Sequence, residues 1–146
     1  MLSIISSPIG NLKDISYRSI EALKCASIVY CEDTRVTKKL LNHYSIKNKK
    51  LFPYNDHNEK EVLKEIIDKL EHDENIILIS DAGTPLISDP GFPLIRECIK
   101  QGLDFVVLPG PTAIIPSLIY SGFPIDKFSF YGFIPRSINK LSLIHI

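Results

Sequence analysis

The chain has 146 residues, of which 45% are hydrophobic and 23% charged. These values are close to those of an average soluble globular domain and argue against a disordered chain. Its 17 basic and 17 acidic residues give a formal net charge of zero. A domain that grips a nucleic acid alone is usually basic, so either the partner is small or the basic surface lies elsewhere.

The first part of the chain alternates short apolar runs with stretches that can form helices. Residues 2–6 are apolar and meet a Pro/Gly loop at once, which predicts a buried first strand. A serine-capped helix is expected over residues 16–24, and a second strand over residues 27–31. Thr34 can cap a second helix, which we expect over residues 36–44.

The clearest helical pattern lies in the middle of the chain. Residues 51–54 are interpreted as a short extended piece that follows a basic connector at residues 45–50. Apolar residues then recur at helical spacing, with lysine and glutamate between them: Val62, Leu63, Ile66, Ile67 and Leu70. Residues 76–80 are predicted to form the third strand.

A long loop follows the third strand. Residues 79–91 contain two aspartates, two glycines and two prolines, a composition that favours turns and excludes a core position. Loops between a strand and a helix commonly have about 2–6 residues, and longer ordered loops are more often functional. Gly83 and Thr84 can meet a ligand with backbone groups and a hydroxyl. The alternative is a turn in which Asp81 and Asp89 bond nearby N–H groups.

The last part of the chain repeats the alternation of helix and strand. Residues 92–101 are predicted to form a helix that Gly102 ends, and residues 105–108 the fourth strand. An apolar helix is expected over residues 114–121. Residues 127–132 alternate aromatic side chains with others and are predicted to form a fifth strand.

The order of these elements predicts an α/β fold, with a mostly parallel five-stranded sheet and helices on both faces. Loops rich in small or polar residues follow the first four predicted strands. Because right-handed crossovers bring the carboxyl ends of parallel strands to one edge, we expect these loops to converge there. In open α/β sheets, that edge is where ligands bind.

Polar residues near the second and third helices have two interpretations each. Glu32, Asp33 and Arg35 are either an acid–base set or substrate clamp, or a helix N-terminus with an exposed arginine. His57 is either a base or a capping residue at the surface. The loop at residues 7–12 has one glycine where a dinucleotide fingerprint needs three, which argues against an NAD-dependent oxidoreductase.

The cysteines and the apolar runs bear on metal binding and location. Cys25, Cys31 and Cys98 lack a CxxC spacing, so neither a disulfide framework nor a zinc site is predicted, and no other metal-ligand spacing occurs. No run approaches the ~20 apolar residues of a membrane span. The first residues lack the basic region of a signal peptide, so we expect a cytoplasmic protein.

Four segments match one protein family in order and spacing: residues 7–15, 31–35, 80–91 and 109–113. On these motifs the chain resembles the bacterial 16S ribosomal RNA cytidine-2′-O-methyltransferases of the decoding region. These are tetrapyrrole-methylase-like (class III) enzymes that depend on S-adenosylmethionine. The most specific motif is Ser-Asp-Ala-Gly-Thr-Pro-Leu-Ile-Ser-Asp-Pro-Gly at residues 80–91.

The resemblance implies S-adenosylmethionine as the methyl donor, 16S rRNA of the small ribosomal subunit as the partner, and a homodimer. By motif position it assigns the donor contacts to three loops: Pro8, Ala82, Gly83, Thr84, Ile87, Thr112 and Ala113. Methyl transfer needs alignment of the 2′-hydroxyl and a base that removes its proton. We look for that base among Asp33, Asp81 and His57, and Arg35 is a candidate phosphate contact.

The resemblance also implies two domains. We assign residues 1–134 to a donor-binding domain and residues 135–146 to the start of a linker and a tail that departs from the family. The second domain would carry further donor contacts and part of the RNA platform, so it stays open whether this truncated form is active alone. Two alternatives also stay open: a class III methylase for a tetrapyrrole or a protein, and a non-catalytic binding or assembly domain.

Overall fold

The computed structural model describes residues 1–133, which form a sheet with helices on both faces. The strands are β1 (Leu2–Ile5), β2 (Ile28–Cys31), β3 (Lys50–Pro53), β4 (Ile76–Ile79) and β5 (Phe105–Leu108). The helices are α1 (Tyr17–Cys25), α2 (Thr34–His43), α3 (Glu59–Glu71), α4 (Phe92–Gln101) and α5 (Ile114–Ser121). The strand order is β3-β2-β4-β1-β5 and every neighbouring pair is parallel, which confirms the predicted fold class.

The two faces of the sheet are buried against different helices. Successive residues of a strand point to opposite faces, so Ile76 and Leu78 of β4 join one apolar cluster and Ile77 and Ile79 the other. The first cluster includes residues of α3 and α4, and the second includes residues of α1 and α2. Burial on both faces explains why β1, β2 and β4 are nearly continuous apolar runs.

The helix ends agree with the sequence pattern at most positions. Ser16 caps α1, since its Oγ accepts a hydrogen bond from the Ser19 amide at 3.1 Å. Gly102 ends α4 in the left-handed conformation, with φ of 68°. The cap of α2 was wrongly predicted: the helix begins at Thr34, and Asp33 caps it by accepting from the Arg35 amide at 2.8 Å.

The fifth strand of the sheet is not the predicted one. Residues 127–132 form no strand, and their aromatic side chains Phe128, Phe130 and Tyr131 are exposed. Aromatic alternation favours a strand only where a neighbouring backbone pairs with it. The short extended piece after the basic connector takes this place as β3, because it pairs in register with β2, for example Leu51 with Val29.

Residues 1–133 form one continuous sheet with its helices, and the domain boundary at residue 134 stays a prediction. The predicted linker start and tail at residues 135–146 lie outside the described residues. Because every strand pair is parallel, the loops after β1, β2, β4 and β5 all leave the same edge of the sheet.

Candidate functional site

The loops after β1 and β4 are bonded to each other through their backbones. Ser7 donates its amide to the Gly83 carbonyl at 2.9 Å, and Gly83 donates back to the Ser7 carbonyl at 3.0 Å. Beside this bridge, the hydroxyls of Ser6 and Thr84 lie 2.7 Å apart and share a hydrogen bond. Pro8 follows directly, so the first loop and the long loop form one wall.

Gly83 is suited to this bridge by its backbone conformation. Its φ is +78°, a region that residues with a Cβ rarely adopt, and the residue is buried. Two other residues of the long loop, Leu86 and Ser88, also have positive φ, at 73° and 63°. Non-glycine residues in this conformation are strained and persist where the surroundings fix them, often at ligand sites.

The loop after β5 packs against the loop after β1. A Cβ at Gly110 would lie 2.8 Å from the Cβ of Ser6, so only glycine allows this approach without a shift. Two residues further on, Thr112 Oγ1 accepts a hydrogen bond from the Ile114 amide at 3.3 Å, at the start of α5. The third predicted donor loop, with Thr112 and Ala113, is therefore held beside the other two.

The loop after β2 is joined to the long loop through carboxylates. The Asp33 amide donates to Asp81 Oδ1 at 3.0 Å, and the Asp81 amide donates to Glu32 Oε2 at 3.4 Å. Asp81 thus bonds across loops rather than within its own turn, which differs from the turn interpretation. The acidic residues of two predicted loops come together at one place.

The two central aspartates have opposite electrostatic surroundings. Hydrogen bonds from the Arg35 side chain and amide lower the pKa of Asp33 to about 2. Burial raises the pKa of Asp81, with the charges of Glu32 and Asp33 adding to the effect and the Asp33 amide opposing it. Burial likewise raises the pKa of Asp89, against a hydrogen bond from Ser80. Of Asp33 and Asp81, which are bonded to each other across the loops, Asp81 therefore has the more basic carboxylate.

A cavity of about 340 Å³ lies between the first loop, α2 and the end of β4. Pro8, Leu12 and Leu40 contribute apolar walls, and Asp81 and Lys39 contribute charge. A cavity with apolar walls and a few convergent polar groups is typical of a small-molecule site.

Ser7 also lines this cavity. Its hydroxyl is buried and has no hydrogen-bond partner among residues 1–133. Such an unpaired group costs about 1–3 kcal/mol, which a ligand acceptor or donor would offset.

Some of the residues predicted for the site lie in this cavity, which is called the cleft below, and the others lie around it. Pro8 and Asp81 line the cavity. Gly83 and Thr84 bond the first loop beside the cavity and do not line it. Ala82, Ala113 and Ile87 are exposed. Arg35 pairs with Asp33 through Nε and Nη2, the latter at 2.6 Å, and its side chain is 86% exposed. His57 is exposed in the turn before α3, where its amide donates to Asn55 Oδ1, and it does not line the cavity.

Four residues were not assigned to the site from the sequence: Ser7 and Lys39, which line the cavity, and Ser6 and Gly110, which hold the loops together beside it. Ser6 and Ser7 directly follow the apolar strand β1 at the binding edge of the sheet, and this position is a signal that the sequence does contain. Gly110 lies in the matching segment 109–113, which indicates the loop but not its contact with Ser6. Lys39 carries no such signal, because its role depends on which elements become neighbours.

The part of the chain that the structure describes, residues 1–133, contains no cluster of three or more His, Cys, Asp or Glu residues arranged to hold a metal ion. Nor does any helix in it combine the length and apolar character needed to cross a bilayer.

Comparison with protein families gives one clear match. The family of tetrapyrrole (corrin/porphyrin) methylases matches residues 1–141, which is nearly the whole chain.

Similar proteins include three named ribosomal RNA small subunit methyltransferase I. The protein of Thermotoga maritima is 43% identical over 98% of this chain and 64% of its own length. That of Escherichia coli O157:H7 is 47% identical over 92% of this chain and 46% of its own length. That of Mycoplasmopsis pulmonis is 50% identical over 94% of this chain and 61% of its own length. The chain therefore spans about half to two thirds of these relatives.

A solved structure shares the fold. The crystal structure of uroporphyrin III C-methyl transferase from Thermus thermophilus superposes with a TM-score of 0.57 at 19% identity. The match covers 84% of this chain and 52% of the other. At this identity the likeness concerns the architecture alone.

Proposed function

Since the chain belongs to the tetrapyrrole methylase family, we propose that it is the donor-binding part of an S-adenosylmethionine-dependent methyltransferase for rRNA of the small ribosomal subunit. The names of its relatives support the substrate class. The motif at residues 80–91 supports the finer assignment, a cytidine 2′-hydroxyl of 16S rRNA. On this proposal the protein acts in the cytoplasm and forms a homodimer.

The observation that carries the proposal is the backbone bridge between Ser7 and Gly83, with the Ser6–Thr84 hydrogen bond beside it. This bridge joins two loops that the family motif assigns to the donor. Gly110 brings the third loop against Ser6. Three segments far apart in the sequence thus supply the proposed donor contacts: Pro8, Ala82, Gly83, Thr84, Ile87, Thr112 and Ala113.

The residues present fit this donor chemically. S-Adenosylmethionine carries a sulfonium and an ammonium group, and the acidic groups of Glu32, Asp33 and Asp81 at the cleft favour a cation. The unpaired hydroxyl of Ser7 and the apolar cavity walls suit a nucleoside. When bound, the donor supplies a methyl group that is already activated on sulfur.

We assign the role of general base to Asp81. It lines the cavity, and its raised pKa makes it a better proton acceptor than Asp33, whose pKa is lowered to about 2. Asp33 instead positions Asp81 through its amide and holds Arg35 through its carboxylate. Arg35 is left as a contact for an RNA phosphate at the mouth of the cleft.

Two measurements test the proposal. Titration calorimetry of the chain with S-adenosylmethionine should give one site per chain, and S-adenosylhomocysteine should compete for it. Tritiated donor should then label rRNA in unmodified small subunits, with the C-terminal part of the Thermotoga maritima relative added to complete the length. A 2′-O-methyl group protects one phosphodiester bond from alkali, so label on a base or on a protein would contradict the finer assignment.

A further inference from the structure

The charges of this neutral chain are distributed unevenly. Residues 34–55 contain no aspartate or glutamate, although the chain has 17 of them. The same stretch contains six of the 17 lysines and arginines: Arg35, Lys38, Lys39, Lys47, Lys49 and Lys50. The rest of the chain is therefore net acidic, and one basic segment stands out against it.

The fold gathers this basic segment around an open groove. Helix α2, the connector that follows it and the start of β3 enclose a groove of about 770 Å³. Arg35, Lys38, Lys47 and Lys49 line it together with Asn42 and Asn48, and no acidic residue does. A groove whose charged side chains are all positive, with amide side chains beside them, suits a polyanion with hydrogen-bonding groups.

The lysines of the groove have two different tasks. Lys49 is half-buried, and its Nζ donates to the carbonyls of Lys24 and Ala26 at 2.6 and 2.5 Å, which fixes the connector to the end of α1. Lys38 and Lys47 are exposed and project from α2 and from the connector. The floor of the groove includes apolar side chains that are hardly accessible, since Leu41 and Ile46 are only 4% and 6% exposed.

Helix α2 places this groove next to the cleft. Arg35, at the first turn of α2, lines the groove and pairs with Asp33, whose amide bonds Asp81 in the cleft. Lys39, the residue after Lys38 in the same helix, lines the cavity. A polyanion lying in the groove would therefore pass the mouth of the cleft.

We propose that this groove binds the phosphodiester backbone of the RNA substrate and so carries part of its affinity. The inference rests on the proposed function for the identity of the polyanion. Lys38 and Lys47 contact phosphates, and the asparagine amides contact phosphate or ribose oxygens. A membrane surface is the less fitting partner, because the apolar residues of the groove, Leu41, Ile46 and Leu51, are buried or half-buried and do not project into lipid.

Charge removal in the groove tests the inference. The binding of a fluorescein-labelled small-subunit rRNA hairpin is measured by anisotropy over a range of salt concentrations, for the chain and for K38Q/K47Q. Each phosphate contact makes the slope of log K against log salt about 1 more negative. The slope of the variant should therefore be about 2 less negative, and its affinity at low salt about tenfold lower.

The matched control removes two exposed lysines elsewhere. Lys60 and Lys64 of α3 lie beside Asp68, Glu71 and Glu97 in a cavity of mixed charge. K60Q/K64Q makes the same change in net charge and should leave both the slope and the affinity near those of the unmodified chain. A loss of the same size in both variants would indicate a general charge effect and would overturn the inference.

The other outcomes separate this inference from the proposed function. K38Q/K47Q should bind S-adenosylmethionine as the unmodified chain does, because neither lysine lines the cavity. If the hairpin binds both proteins alike, or binds the unmodified chain without salt dependence, the groove is not an RNA site, whatever the donor titration gives. Groove-dependent binding to vesicles of phosphatidylserine and phosphatidylcholine, without binding to RNA, would also overturn it.

Discussion

The amide of Asp33 donates to Asp81 Oδ1 at 3.0 Å, which links the end of β2 to the end of β4 across the binding edge of the sheet. The two carboxylates that meet here differ in basicity. Arg35 lowers the pKa of Asp33 to about 2, and burial raises the pKa of Asp81. One aspartate is thereby fixed as a charged positioning group, and the other is suited to accept a proton.

Asp81→Asn should separate activity from stability. Removal of the base should lower the rate of methyl transfer by about 10²- to 10⁴-fold. The Asn carbonyl can still accept from the Asp33 amide, so the loop link should persist. Because the folded state raises the pKa of Asp81 above its ordinary 3.8, the stability that protonation confers is lost as pH rises through the folded pKa.

The neutral side chain of Asp81→Asn avoids that loss. The melting temperature of the variant should therefore equal or exceed that of the unmodified chain at pH 7. In acid, where Asp81 is itself protonated, the two melting temperatures should be equal. Thermal melts from pH 3 to pH 8 and single-turnover rates measure the two effects. A variant with unchanged methyl transfer would remove Asp81 from the chemistry.

Gly83→Val should destroy donor binding through the backbone. There is room for a Cβ, since the nearest atom is 3.7 Å away, but φ of +78° costs a β-branched residue about 1–3 kcal/mol. Relief of this strain would break the bridge to Ser7. Calorimetry with S-adenosylmethionine measures the loss.

Gly102→Val is the matched control for this variant. Gly102 has a φ of +68° and open space around it at the end of α4, away from the cleft. It should lose a similar amount of stability and keep donor binding. Equal donor affinity in both variants would contradict the site assignment.

Gly110→Ala should weaken donor binding by pushing the third loop away from the first. Its Cβ would lie 2.8 Å from Ser6 Cβ, and overpacking of this kind costs about 1–3 kcal/mol. In a Ser6→Gly background the obstructing atom is absent, so the same substitution should cost much less. Urea unfolding of the four proteins in this cycle measures the coupling. If the losses in free energy of unfolding caused by the two substitutions were additive, the cost of Gly110→Ala would not come from contact with Ser6.

Arg35→Ala should affect RNA and not the fold. The Arg35–Asp33 pair is at the surface, with the arginine side chain 86% exposed, and such pairs contribute little to stability. The melting temperature should therefore change little, whereas the KM for small subunits should rise several-fold. Arg35→Lys should rescue only part of this loss, because lysine lacks the planar fork of donors. An unchanged KM would show that Arg35 serves Asp33 alone.

Much of the fold could be predicted because the local pattern and the tertiary structure agree. The apolar runs at β1, β2 and β4 are buried on both faces, and the loops after them meet at one edge as parallel strands require. The extended piece at β3 could not be assigned to the sheet, since Lys50 and Pro53 flank only two apolar residues. Its pairing with β2 decides its structure.

The site was less predictable for the same physical reason. Motifs pointed to Gly83 and Thr84, but the bonds to Ser6 and Ser7 join residues that are far apart in the chain. The close approach of Gly110 to Ser6 likewise exists only after the strands have ordered as β1-β5 neighbours. The aromatic alternation at residues 127–132 gave a wrong strand prediction, because the pattern carries no information about a partner strand.

Nuclear magnetic resonance of the ¹⁵N-labelled chain during titration with S-adenosylmethionine tests the central claim most directly. The amide signals of Ser7, Gly83 and Thr112 should move together with a single binding constant, while those of α3 stay in place. Movement confined to α3 and α4, or no movement at any of the three loops at saturating donor, would contradict the account.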